Sequence, residues 1–78
     1  MTKAAIETRI RIILQRVGRL DGEYSAKADL FRELGMKSIA ALDLLLSLEE
    51  EFGVAIADEA FAQARNVQSL VALVEGLR

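Results

Sequence analysis

The sequence predicts an all-α fold, a four-helix bundle of three main helices and one short one, with a long loop between the first and second. Three observations carry this. Apolar residues recur at helical spacing in three separate runs, there is no proline anywhere in the 78 residues, and the one weakly alternating stretch has no second strand to pair with. The chain has the length of a single small domain, 1–78. A domain of this size buries only about 60% of the surface its unfolded chain exposes. Cysteine is absent, so packing among the 53% of residues that are hydrophobic must do the stabilising.

The first stripe is Ile6, Ile10, Ile13, Leu14 and Val17. Its spacing predicts a helix over about residues 3–17, with Thr2 suited to its start and Gly18 to its end. Residues 18–37 show no sustained period and open with turn chemistry at Gly18, Asp21 and Gly22. A loop this long inside a small domain has to be functional or pinned. Leu20, Leu30, Phe31 and Leu34 are the residues to pin it, and Asp29 is placed to cap one turn through Leu30–Leu34 that Gly35 stops.

Ser38 to Phe52 is the most helical segment, rich in Leu, Ala and Glu, and Gly53 ends it. Val54–Ala57 reads as an extended connector. Asp58 is expected to cap a short helix over about residues 59–64 with Phe61 turned inward. Asn66 is expected to cap a last helix whose stripe is Val67, Leu70, Val71, Val74 and Leu77.

Charge is unevenly spread. Residues 1–19 hold Lys3, Arg9, Arg11, Arg16 and Arg19 against Glu7, whereas the rest of the chain is acidic and the net charge is −2. A basic helix is compatible with nucleic acid, but a solvated face is the plainer reading and the acidic remainder opposes a duplex, so no nucleic-acid partner is expected. No run approaches the roughly 18 apolar residues of a membrane span. The first segment is amphipathic and Arg-bearing, unlike a secretory signal. A cytoplasmic monomer is expected.

An enzyme is disfavoured. Histidine and cysteine are both absent, which removes the commonest acid–base group and the soft metal ligands. Glu49, Glu50 and Glu51 are consecutive and splay around a helix. No Gly-rich phosphate loop occurs. Lys37 and Ser38 are adjacent, so they do not face each other as a dyad.

Ser38, heading a strong helix, is by itself a good N-cap. The same place suits a phosphate ester, which would lie by unpaired N–H groups at the positive end of the helix. The helix beyond it carries two apolar groups. At ~100° per residue, Ala41, Leu44, Leu45, Leu48 and Phe52 share one face. Ile39, Leu42 and Leu46 lie well round from it, flanked by Asp43 and Glu50. Either the helix is buried over a wide arc, or the second group is an exposed strip with a charged rim for a partner.

Three blocks carry a family resemblance: Asp29-Leu30-Phe31-Arg32-Glu33-Leu34-Gly35-Met36-Lys37-Ser38-Ile39, then Leu48-Glu49-Glu50-Glu51-Phe52-Gly53-Val54-Ala55-Ile56-Ala57-Asp58-Glu59, then Asn66-Val67-Gln68-Ser69-Leu70-Val71-Ala72-Leu73-Val74. Jointly, from about Asp29 onward, the chain resembles the acyl carrier protein family. That resemblance implies a four-helix bundle with a long first loop and a 4′-phosphopantetheine arm on Ser38, attached from coenzyme A by a phosphopantetheinyl transferase. The arm would hold an acyl group as a thioester for separate acyl-activating and acyl-transferring enzymes. It also implies docking through the second helix, by position through Ile39, Asp43, Leu46, Glu50 and Glu51, with Lys37 beside them.

The sequence departs from the family pattern where Lys37 replaces the usual Asp before the serine and Ala40 replaces a frequent acid after it. These changes point to a carrier dedicated to one lipid or secondary-metabolite pathway. Two other readings stay open at this level. One is an aminoacyl or peptidyl carrier on the same scaffold, although Met36 departs from the Gly-Gly that such carriers often show. The other is a small helical interaction domain in which Ser38 is only a cap.

Overall fold

A computed structural model describes residues 1–78, and it contains four helices and no strand. They are α1 (Lys3–Gly18), α2 (Ala40–Phe52), α3 (Asp58–Gln63) and α4 (Val67–Leu77). α1 packs against both α2 and α4, and the short α3 lies against α4. One cluster of buried apolar side chains joins them, including Ile6, Ile10, Ile13 and Leu14 of α1, Leu44, Leu48 and Phe52 of α2, and Val67, Leu70, Val71 and Val74 of α4. The three core stripes therefore meet as their periodicity predicts, except that Leu77 at the end of the last stripe is exposed.

α1 starts as expected, with the Thr2 hydroxyl accepting the Ala5 N–H at 3.1 Å. Its end differs. Gly18 is the last helical residue, and Arg19, not the glycine, takes the left-handed cap conformation at φ 55°. The reason for the glycine is packing: a Cβ on Gly18 would stand 2.7 Å from Met36 Sδ. Gly18 thus admits Met36 to the core, and a non-glycine bears the positive φ. That conformation strains an L-residue and favours glycine. Arg19→Gly should accordingly raise stability by about 0.5–1 kcal/mol, read as a higher urea midpoint at constant slope.

The long loop is pinned mainly at two points. Leu30 is fully buried and Met36 almost so, the latter a core residue that its isolated position in the sequence did not reveal. The Leu30 N–H donates to the Arg65 carbonyl and its carbonyl accepts the Met36 N–H, both at 2.8 Å. Leu20, Phe31 and Leu34 pack half-buried against the core.

Just before Leu30, Asp29 caps the expected turn. One carboxylate oxygen accepts the N–H groups of Phe31 and Arg32, and the Arg65 guanidinium pairs with the carboxylate at 2.9 Å. Gly35, at φ 74°, ends the turn. The N–H of Arg32, then Arg65, hold the Asp29 pKa down at about 2, below the ordinary 3.8. A carboxylate depressed in this way stabilises the fold above its unfolded pKa near 3.9 and loses that contribution as pH falls through about 2. Asp29→Asn should therefore melt below wild type at pH 6, with the gap closing as pH approaches 2. Thermal melts followed by circular dichroism measure it, and a gap independent of pH would refute the assignment.

Two further boundaries are corrected. Asp58 is not the cap of α3: Ala57 takes that position without a side-chain bond, and Asp58 and Glu59 occupy the first turn, where the helix dipole favours them. The helix accordingly runs over Asp58–Gln63 and not 59–64. The connector before it is extended as expected, with Gly53 left-handed at φ 63° and the Ile56 N–H donating 2.8 Å to Glu49 Oε2. Asn66 caps α4 by accepting the Ser69 N–H at 2.7 Å.

Candidate functional site

The expected helix start at Ser38 is the largest revision. α2 begins at Ala40, and its cap position belongs to Ile39, whose backbone is already helical and which supplies no side-chain cap. Residues 37–41 form a tight lead-in, with the N–H of Ala40 donating to the Lys37 carbonyl at 2.9 Å and that of Ala41 to the Ser38 carbonyl at 3.0 Å. These are one residue shorter than α-helical bonds, as is common at a helix start. The Ser38 side chain is consequently not a cap. Ser38 is exposed and its hydroxyl has no hydrogen-bond partner in the chain.

The surroundings of that hydroxyl have two features. The N–H groups of Ser38 and Ile39 donate no backbone hydrogen bond, so they remain available at the positive end of α2. On one side Ser38 borders a groove of about 390 Å³, lined by Phe31, Ala41, Leu44, Phe61, Ala62, Ala64 and Arg65. Three alanines on its walls leave the space open, and the two aromatic rings make it apolar. The Arg65 guanidinium lies over the Phe31 ring at 4.8 Å, held there by Asp29. At this position the Ser38 oxygen is free, the N–H groups of Ser38 and Ile39 are unpaired, and an apolar groove lies beside it.

The structure decides between the two readings of α2. Leu44, Leu48 and Phe52 are buried. Ile39, Leu42 and Leu46 keep 85%, 63% and 53% of their surface exposed, which makes them an apolar strip and not part of a wide buried arc. Ile39, Asp43, Leu46 and Glu50 run along one line of the helix, at spacings of four, three and four residues.

The acids divide by use. Glu51, expected on the partner face, is held by Arg9 of α1 at 2.6 Å, and Glu49 is occupied with the Ile56 N–H. Asp43 and Glu50 are exposed and have no cationic partner. Lys37, next to Ser38 in the chain, is exposed. A second cleft, of about 500 Å³, brings Lys37 and Ile39 together with Arg19, a residue that sequence spacing could not connect to Ser38.

No group of His, Cys, Asp or Glu side chains is arranged to hold a metal ion. No helix is long and apolar enough to cross a membrane.

Comparison with known proteins agrees with this geometry. Residues 8–74 match the family described as the phosphopantetheine attachment site. The chain is 37% identical to acyl carrier protein 2 of Ralstonia nicotianae over 78 residues, covering 99% of this chain and 96% of that one. A solved structure of a candidate acyl carrier protein from Mycobacterium tuberculosis superposes with a TM-score of 0.82 at 28% identity, covering 91% of this chain and 96% of the other.

Proposed function

This chain belongs to the acyl carrier protein family, non-catalytic carriers with a phosphopantetheine attachment site, and we propose that Ser38 is the residue that bears the arm. The observation that carries the assignment is an exposed serine hydroxyl with no structural task, at the start of α2 and at the edge of an apolar groove. The arm, once attached, supplies the thiol that this cysteine-free chain lacks. Ser38 supplies its Oγ to the phosphorus of the pantetheine phosphate of coenzyme A. The bond to the adenosine bisphosphate half breaks, and the serine proton passes to the transferase. The free N–H groups of Ser38 and Ile39 then face the new diester.

The groove between the loop, α2 and α3 gives an acyl chain an apolar lodging beside Ser38, walled by Phe31, Leu44 and Phe61. Partner enzymes dock on the strip of α2, through Ile39, Asp43, Leu46 and Glu50 with Lys37 at its head, while Glu51, expected on this face, is engaged by Arg9. The exposure of Ile39 and Leu46 and the free carboxylates of Asp43 and Glu50 support this face. Lys37 and Ala40, standing where an acid is usual, support a carrier dedicated to a particular pathway.

Intact-mass measurement tests the assignment. Incubation with coenzyme A and a broad-specificity phosphopantetheinyl transferase should add the mass of one phosphopantetheine per chain. The absence of any gain, under conditions that load another carrier completely, would overturn it.

A further inference from the structure

The charge around the arm-bearing end of α2 is opposite to that further along it. Four ion pairs engage Lys3, Arg9, Arg11 and Arg65. Arg19 and Lys37 belong to none of them, both are exposed, and both border the cleft that also contains Ile39. The remaining walls are mainly Val17, Leu20 and Leu34, and no acidic residue lines it.

Arg19 has a local rationale, since a cation near the C-terminus of α1 complements the helix dipole. Lys37 has none. It precedes the N-terminus of α2, where the dipole disfavours a positive charge and the unpaired N–H groups of Ser38 and Ile39 add to the same field. In the arm-free carrier this exposed cation has no carboxylate partner within the chain, which leaves it available to an anionic group on a docking partner. Down the same helix, Glu49 and Glu51 are used internally, and Asp43 and Glu50 are the free charges. From Ile39 to Glu50 the helix advances roughly 16 Å at ~1.5 Å per residue. From the arm outward the face is therefore basic at Arg19 and Lys37, and beyond Ile39 its exposed apolar residues alternate with the free acids Asp43 and Glu50.

We propose that this face takes an enzyme surface complementary to it: carboxylates opposite Arg19 and Lys37 at the mouth where the arm enters, an apolar patch for Ile39, Leu42 and Leu46, and cations opposite Asp43 and Glu50. The inference rests on Ser38 as the arm-bearing residue and adds the polarity of the partner. Charge order of this kind selects partners and steers encounter more than it adds raw affinity. An enzyme with cations around its arm-receiving mouth is repelled where the arm must enter.

The test uses the loading reaction, in which the carrier still lacks the phosphate, so neutralisation of the diester by Lys37 cannot contribute. The probes are a transferase with two cations beside its active-site mouth and the same enzyme with both changed to glutamate. The carriers are wild type and the double variant Arg19→Gly/Lys37→Glu, in which Arg19→Gly relaxes the left-handed cap and circular dichroism confirms the fold. Wild type should show a KM lower by roughly tenfold with the glutamate-bearing enzyme, and the double variant should show the reverse preference. Added salt should shrink both differences. If both carriers prefer the same enzyme, or if neither distinguishes them, the polarity inference is overturned while Ser38 stands. If no pairing adds phosphopantetheine to the folded carriers, the assignment of Ser38 fails and the inference fails with it.

Discussion

Ser38→Ala should take phosphopantetheine loading to zero and leave thermal stability nearly unchanged. Both halves follow from the same geometry. The oxygen that would accept the arm is the one atom removed, so no residual mass gain is expected at any transferase concentration. If Ser38 were a helix cap, removing its hydroxyl would cost about 0.5–2 kcal/mol, which in a domain this small lowers Tm by several degrees. Here α2 starts two residues later, and the hydroxyl bonds to nothing in the chain. A thermal melt of the unmodified variant against unmodified wild type separates the cases. A fall of several degrees would return Ser38 to the role of a cap, and a surviving mass gain would move the attachment site elsewhere.

Leu30→Ala should destabilise the protein by about 2–5 kcal/mol, the range for a large buried side chain cut to alanine. For 78 residues the total stability is of order 4–12 kcal/mol, so one substitution in a loop would remove a large part of it. The magnitude follows from position. Leu30 is completely buried, and its backbone bonds to Arg65 on one side and Met36 on the other. The same segment places Phe31 on the groove beside Ser38 and anchors Asp29 against Arg65. A urea titration should show a lower midpoint with the slope retained. A cost below about 1 kcal/mol would mean that the loop is only laid on the bundle and does not complete its core.

The two substitutions mark different depths of legibility. The helices were legible because burial along a helix repeats about every 3.6 residues, and Ile6, Ile10, Ile13 and Leu14, or Val67, Leu70, Val71 and Val74, display that repeat without reference to anything else. Asn66 and Thr2 were legible as caps because capping is settled within three residues. Ser38 was visible as a serine at a helix start and, through the blocks on either side, as a position with a family role. Met36 was not legible as core, since an isolated apolar residue in an aperiodic segment carries no phase. Nor was Arg19, whose place beside Lys37 depends on α1 ending against the start of α2.

Periodicity and capping chemistry thus determined from the sequence alone that this is a helical bundle with a notable serine before its second helix. Tertiary structure decided what that serine is free to do. Spacing gives the angle between the two apolar groups of α2 but not which of them the neighbouring helices cover. α1 covers the face of Leu44 and Leu48, and Ile39, Leu42 and Leu46 stay in solvent. The lead-in at residues 37–41 sets where α-helical bonding begins. With that start at Ala40, the Ser38 hydroxyl is left out of the helix cap, exposed between an apolar groove and a basic cleft.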